Sequence, residues 1–182
     1  SLEKESGPRI VCQRRNISII TRRVRTLLIF FEDLTTHHFL SSSSSSSTPD
    51  PLPPSALLSF GELHVVLQGI KLMLDDCVDC SRMWLLAEHR KLSESFHLLT
   101  QEMATALDVL PLPLLNVSGE VREQVELIRK QARRAKVHID PKETELLAQV
   151  QYLMKQIERR EVPEVKELVR VFMGLKLHSG MD

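Results

Sequence analysis

Residues Ser55 to Leu86 read SALLSFGELHVVLQGIKLMLDDCVDCSRMWLL. Phe60, Leu63, Leu67, Ile70 and Leu74 recur at gaps of three, four, three and four, the period of one helix face. A helix is therefore expected from about Ser55 to Val78. Gly61 and Gly69 lie inside it, each costing up to about 1 kcal/mol relative to alanine, so both are expected to mark close helix packing. Met83-Trp84-Leu85-Leu86 follows, with the one tryptophan of the chain. A ring that large gains most when buried between helices, so Trp84 is expected to close a core.

Upstream, Ser41 to Pro54 joins seven serines to Thr48-Pro49-Asp50-Pro51-Leu52-Pro53-Pro54. That composition cannot bury surface and favours extended, solvated backbone, so 41–54 reads as a disordered loop. Before it, from Ile10 to Leu40, Ile17, Ile20, Val24, Leu27, Phe31 and Leu34 mark another amphipathic helix. Its other side carries Arg14, Arg15, Arg22, Arg23 and Arg25, which read as a solvated face rather than a phosphate-binding stripe. His37-His38 reads as a helix-end pair, because adjacent helical positions point about 100° apart.

Downstream, Ser93 to Leu110 turns Phe96, Leu99, Met103 and Leu107 inward and stops at Pro111-Leu112-Pro113. Ser118 is expected to cap a helix reaching Ile139, with Val121, Val125, Ile128, Ala132, Ala135 and Ile139 as its seam. Asp140-Pro141-Lys142-Glu143 has cap, proline and acid in the order of a helix start. That helix continues through Leu146, Leu147, Val150, Leu153, Met154 and Ile157. Pro163 opens a last short helix with Leu168, Val171 and Phe172, ended at Gly174. No strand pattern is present. The chain reads as an all-α helical bundle of four long helices plus one or two short ones. Its organisation is expected to be a flexible N-terminus over 1–9, one bundle domain over 10–177 and a tail over 178–182 leading to further domains.

The 182 residues allow one domain with a real core. Six Phe, one Trp and one Tyr leave leucine and short aliphatics to fill it, which favours helices over a β-sandwich. The 24 basic and 24 acidic side chains cancel, so there is no global pull toward nucleic acid or anionic lipid. Three cysteines, Cys12, Cys77 and Cys80, argue against a disulfide framework and for a reducing, intracellular setting, cytoplasm or nucleus. No run of about 18 uninterrupted apolar residues occurs, so no membrane span is expected. The chain opens on Ser1 without an apolar leader and reads as a piece of something longer.

Chemistry is sparse. No phosphate-cradling glycine loop, G-x-S-x-G elbow or H-E-x-x-H is present. Cys77 and Cys80 offer two zinc ligands, yet a second pair is missing, with only Cys12 or His89 to recruit. Glu62 with His64, and His97, read as structural rather than as an acid–base couple. No catalytic activity, metal or cofactor is expected. The contact candidate is the basic run Arg129, Lys130, Arg133, Arg134 and Lys136. It reads first as a solvated face, following Glu120, Glu123 and Glu126 in the order that the helix dipole favours. Among partners, protein is favoured over nucleic acid, since no aromatics interleave for base stacking.

The order of several stretches resembles the N-terminal domain of plant U-box ubiquitin ligases, in the branch that also carries armadillo repeats. The matching stretches begin with Gln13-Arg14-Arg15-Asn16, Glu62-Leu63 through Ile70-Lys71, Met83-Trp84-Leu85-Leu86 and Phe96-His97. They continue with Leu107-Asp108-Val109-Leu110-Pro111, Val121 through Leu127, Gln131 through Lys136, and Ile139-Asp140. The resemblance covers Cys12 to Leu177 and implies an all-helical module that docks targets or regulators, exocyst subunits among them, in defence or other signalling. The U-box and the repeats are absent from this sequence, so no catalytic residue transfers. The alternative function is a bundle binding anionic membrane through the same basic face.

Overall fold

The computed structural model describes residues 12–43 and 52–175, except for the side chains of 38–43. These residues form α1 (Arg14–Ser43), α2 (Pro54–Asp79), α3 (Arg82–Ala87), α4 (His89–Val109), α5 (Gly119–Arg133), α6 (Pro141–Glu158) and α7 (Val165–Leu175). A short 3-10 turn, Leu112–Leu114, lies between α4 and α5, and no strand occurs among the described residues. The fold is all-α, as expected. The expected disordered stretch overlaps it at both ends, since α1 runs to Ser43 and α2 starts at Pro54. Residues 44–51 of that stretch lie outside the described residues, as do 1–9 and the tail, while Leu52 is half-buried against the core.

α4 packs most extensively on α2 and α5, and α5 turns its other side to α1. Those four helices make the bundle. Its middle is filled by Ile20, Leu27 and Phe30 of α1, Leu63 and Ile70 of α2, Met103 and Leu107 of α4, and Val125 of α5, all at most 2% exposed. α3 bridges α4 to α6, and α6 pairs with α7.

The buried stripe of α2 is Ala56, Ser59, Leu63, Val66, Ile70, Met73 and Cys77. Phe60, Leu67 and Leu74 lie beside it, half-buried. The seam is thus turned toward Val66 and Met73 relative to the one read from the sequence, because α4 meets that side. Ser59 sits in the stripe because its hydroxyl donates to the Ala106 carbonyl of α4 at 2.8 Å. By length and composition α2 is also long and apolar enough to cross a membrane, with an 18-residue window of mean hydropathy 1.4. The absence of a long uninterrupted apolar run hid this. Leu58, Val65 and Leu72, at steps of seven, lie on its exposed side.

Other expectations are corrected. Trp84 is 43% exposed, while Leu85 and Leu86 beside it are buried. α3 has only six residues, and the inward side of so short a helix is filled by that leucine pair. Phe30, Phe31 and Phe60 make the aromatic closure instead, with ring centroids 5.1 to 6.3 Å apart. Gly69 is a close approach, where an added Cβ would meet Leu99 Cδ2 at 3.0 Å, but Gly61 faces open space. Met154, Ile157 and Phe172 are exposed. α7 continues one residue past Gly174, which lies tight against Leu146 of α6.

The α5 helix stops at Arg133, six residues before the expected end at Ile139. Val121, Val125, Ile128 and Ala132 form the buried seam. Gln101 of α4 donates its side-chain amide to the Ala132 and Ala135 carbonyls at 3.1 and 3.4 Å. That satisfies helix-end acceptors which another turn would otherwise use. Val137 and Ile139 are β-branched, and Pro141 keeps Asp140 out of the helical region. Asp140 then caps α6, its carboxylate accepting the Lys142 amide at 2.9 Å.

Candidate functional site

The five basic residues are placed at the end of α5 and in the linker to α6, and they divide into two groups. Arg129 donates from Nε to Glu126 at 2.9 Å and from Nη1 to Asp108 of α4 at 3.3 Å. Lys130 lies 3.6 Å from Glu126, and Arg133 also pairs with Asp108. The Arg129 hydrogen bond holds the Glu126 carboxyl below its ordinary range. Arg129 and Arg133 thus belong to an ion-pair seam joining α4 to α5, while Lys130 pairs within α5. Asp108, outside the basic run in sequence, neutralises much of it. Arg134 caps α5 and is exposed, and Lys136 lies exposed in the linker.

The linker carries Lys136 away from that seam toward α1 and α4. There it lines a cleft of about 210 Å³ with Arg15, Arg23, His97 and His138. Arg23, expected on a solvated face, is half-buried and donates to the Thr100 hydroxyl of α4 at 3.0 Å. Arg23 and His97 sit on the bundle-facing flanks of α1 and α4. Periodicity places them at the edge of each apolar stripe but does not pair the two stripes.

A buried polar junction adjoins this cleft. The Gln13 amide N–H donates to Glu143 Oε1 at 2.6 Å, and its side-chain amide to Glu143 Oε2 at 3.1 Å and the His89 carbonyl at 2.8 Å. Asn16 donates to Gln13 Oε1 at 2.7 Å and to the His138 carbonyl at 3.1 Å. Both ring nitrogens of His89 are engaged, by the Leu86 carbonyl and the Thr144 hydroxyl. His89 is therefore committed to structure. Burial pushes the thiols of Cys12 and Cys77 up to about 11, which keeps them protonated and poor as nucleophiles or ligands. Among the described residues no group of three His, Cys, Asp or Glu side chains is arranged to hold a metal. A second cleft, of about 580 Å³ between the start of α1 and α3, α6 and α7, mixes Arg82 and Arg170 with Asp140 and Glu145.

The family model described as "PUB10-like, N-terminal domain" matches residues 14–136. The chain belongs to the PUB10-like N-terminal domain family. The matched residues span α1 to α5 and the first part of the linker, which together include the whole bundle. Among curated relatives, this PUB10-like domain is 36% identical over 135 residues to U-box domain-containing protein 1 of Medicago truncatula, covering 73% of this chain and 18% of that protein. It is 32% identical over 170 residues to U-box domain-containing protein 17 of Arabidopsis thaliana, covering 91% of this chain and 23% of that one. U-box domain-containing protein 19 of Arabidopsis thaliana is 31% identical over 170 residues, covering 93% and 24%. The chain thus spans about a fifth of the length of the curated relatives it matches. No solved structure matches.

Proposed function

We propose that this PUB10-like domain docks protein partners, ubiquitination targets or their regulators, for a U-box ubiquitin ligase working inside the plant cell. The observation that carries the reading is the family match across the bundle, in relatives named for a U-box and several times longer than this chain. A partner held on the bundle is kept near the ubiquitin-loaded enzyme, and the connecting chain raises its effective concentration there. The domain would contribute selection, and the chemistry would lie elsewhere in the longer protein. Exocyst subunits and a role in defence or other signalling are the partner class and setting proposed here, following the resemblance.

The docking face is proposed at Arg129, Lys130, Arg133, Arg134 and Lys136, with unequal shares. Arg129, Lys130 and Arg133 already face Glu126 and Asp108, so an acidic partner gains less from them. Arg134 and Lys136 are the exposed cations that a partner's carboxylates meet first. The double variant Arg134→Glu/Lys136→Glu is expected to weaken capture of purified exocyst subunits at least tenfold while leaving the melting temperature unchanged. Capture as tight as before would remove this face from the account, and a panel in which no subunit binds would remove the exocyst. Arg133→Glu is unsuitable for this purpose, because it sets two carboxylates together at Asp108 and loosens α4 from α5.

A further inference from the structure

We propose that the cleft between the start of α1, the middle of α4 and the α5–α6 linker binds a phosphate group. Arg15 and Arg23 approach it from α1, His97 from α4, and Lys136 and His138 from the linker, and no carboxylate lines it. In a chain whose acids and bases balance, five cationic or potentially cationic side chains around one acid-free space make a strong local field.

Two nitrogens in this cluster are buried without a hydrogen-bond partner, Arg23 Nε and His97 Nδ1. Buried polar atoms are seldom left unpaired, and an unpaired buried charge is costlier still. Burial alone lowers the Arg23 guanidinium from its ordinary value, and no acid restores it. Its Nη1 is committed to Thr100, which fixes the guanidinium plane across the α1–α4 contact. Such a fixed fork is suited to a tetrahedral oxyanion, which accepts from arginine in short charge-assisted hydrogen bonds. At roughly 30 Å³ per water, the cleft of about 210 Å³ holds a phosphate and the first atoms of whatever carries it. Ile20 and Phe96 supply apolar walls, so charge and size together select the ligand.

Lys136 belongs both to this cleft and to the proposed docking face, and a lone ion probes the cleft without any protein partner. Inorganic phosphate titrated into the full chain at constant ionic strength, with chloride as the balancing anion, is expected to give saturable NMR shifts at the Arg23 Nε–H and the His97 ring. Arg23→Gln is expected to weaken binding at least tenfold. Lys136→Gln, which removes an exposed positive charge from the linker, is expected to weaken it a few-fold with the melting temperature unchanged. If Arg23→Gln does not fold, Lys136→Gln and Arg15→Gln carry the comparison. Absence of a saturable shift, or equal affinity in all of these variants, overturns the site. In a parallel titration, tighter binding of capped phosphoserine than of inorganic phosphate assigns the cleft to a phosphorylated side chain of a protein. The reverse order assigns it to the free ion.

Discussion

Glu143 is 8% exposed in the first turn of α6, and burial pushes its carboxyl above the ordinary range, against the pull of the Gln13 hydrogen bonds. A carboxyl raised on folding binds its proton more readily in the native state than in the unfolded chain. Its contribution is therefore fully present below the ordinary value of 4.5 and is lost as pH rises through the folded value. The protein should gain melting temperature relative to Glu143→Gln as pH falls from about 8 toward about 4. A difference between the two that does not change with pH would show that the buried carboxyl titrates normally. At the same scale, Trp84→Ala is expected to cost less than about 1 kcal/mol, as for an exposed side chain. Leu86→Ala, at a fully buried site, should cost about 2–5 kcal/mol. Chemical denaturation of both variants checks the order, which is the reverse of what ring size suggests. Residue type was a poor guide here, since Trp84 lies on a six-residue helix whose inward positions are taken.

The two α2 glycines separate helix propensity from packing. Gly61→Ala meets nothing within 4 Å and is expected to stabilise by about 0.5–1 kcal/mol, the propensity gain alone. Gly69→Ala gains the same propensity but presses on Leu99 Cδ2, a side-chain tip that can give by a few tenths of an ångström, so its net change should be closer to zero. Equal stabilisation in thermal melts would mean that α2 and α4 are not in close contact at Gly69. Most elements were legible from the sequence. The 3.6-residue period located α1, α2 and α4, and Ser118, Asp140 and the prolines marked helix ends that the structure keeps. The end of α5 was not legible, because its carbonyls are satisfied by Gln101, some 30 positions earlier in the chain. The turn of the α2 seam toward Val66 and Met73 also escaped, since a helix apolar on most sides does not say which side its neighbour takes.

Across the whole molecule, two sets of long-range partners leave no mark in the linear pattern. Asp108 meets the basic end of α5, so the most conspicuous charge run is largely an ion-pair seam. Gln13 meets Glu143 across 130 positions, and no local pattern predicts such a pair. The cleft that joins Arg23, His97 and Lys136 has the same character, built from three elements that read separately as solvated or structural. Local periodicity found the bundle, whereas the candidate sites arise where distant elements meet.

The Gln13–Glu143 junction also bears on where this domain can be cut. The family match begins at Arg14 and ends at Lys136, so those bounds fall just inside both halves of the clasp. A protein trimmed to 14–136 would keep every bundle helix yet leave Asn16 without Gln13 and the His138 carbonyl, and His89 without Thr144. Trimming removes these hydrogen bonds and uncovers the apolar surface that α6 shields on α3, so the trimmed chain should melt well below one spanning 12–175, with its earliest amide exchange at the start of α1 and α4. Equal melting temperatures would show that α6 is a passenger rather than the buckle that holds the first turn of the chain in place.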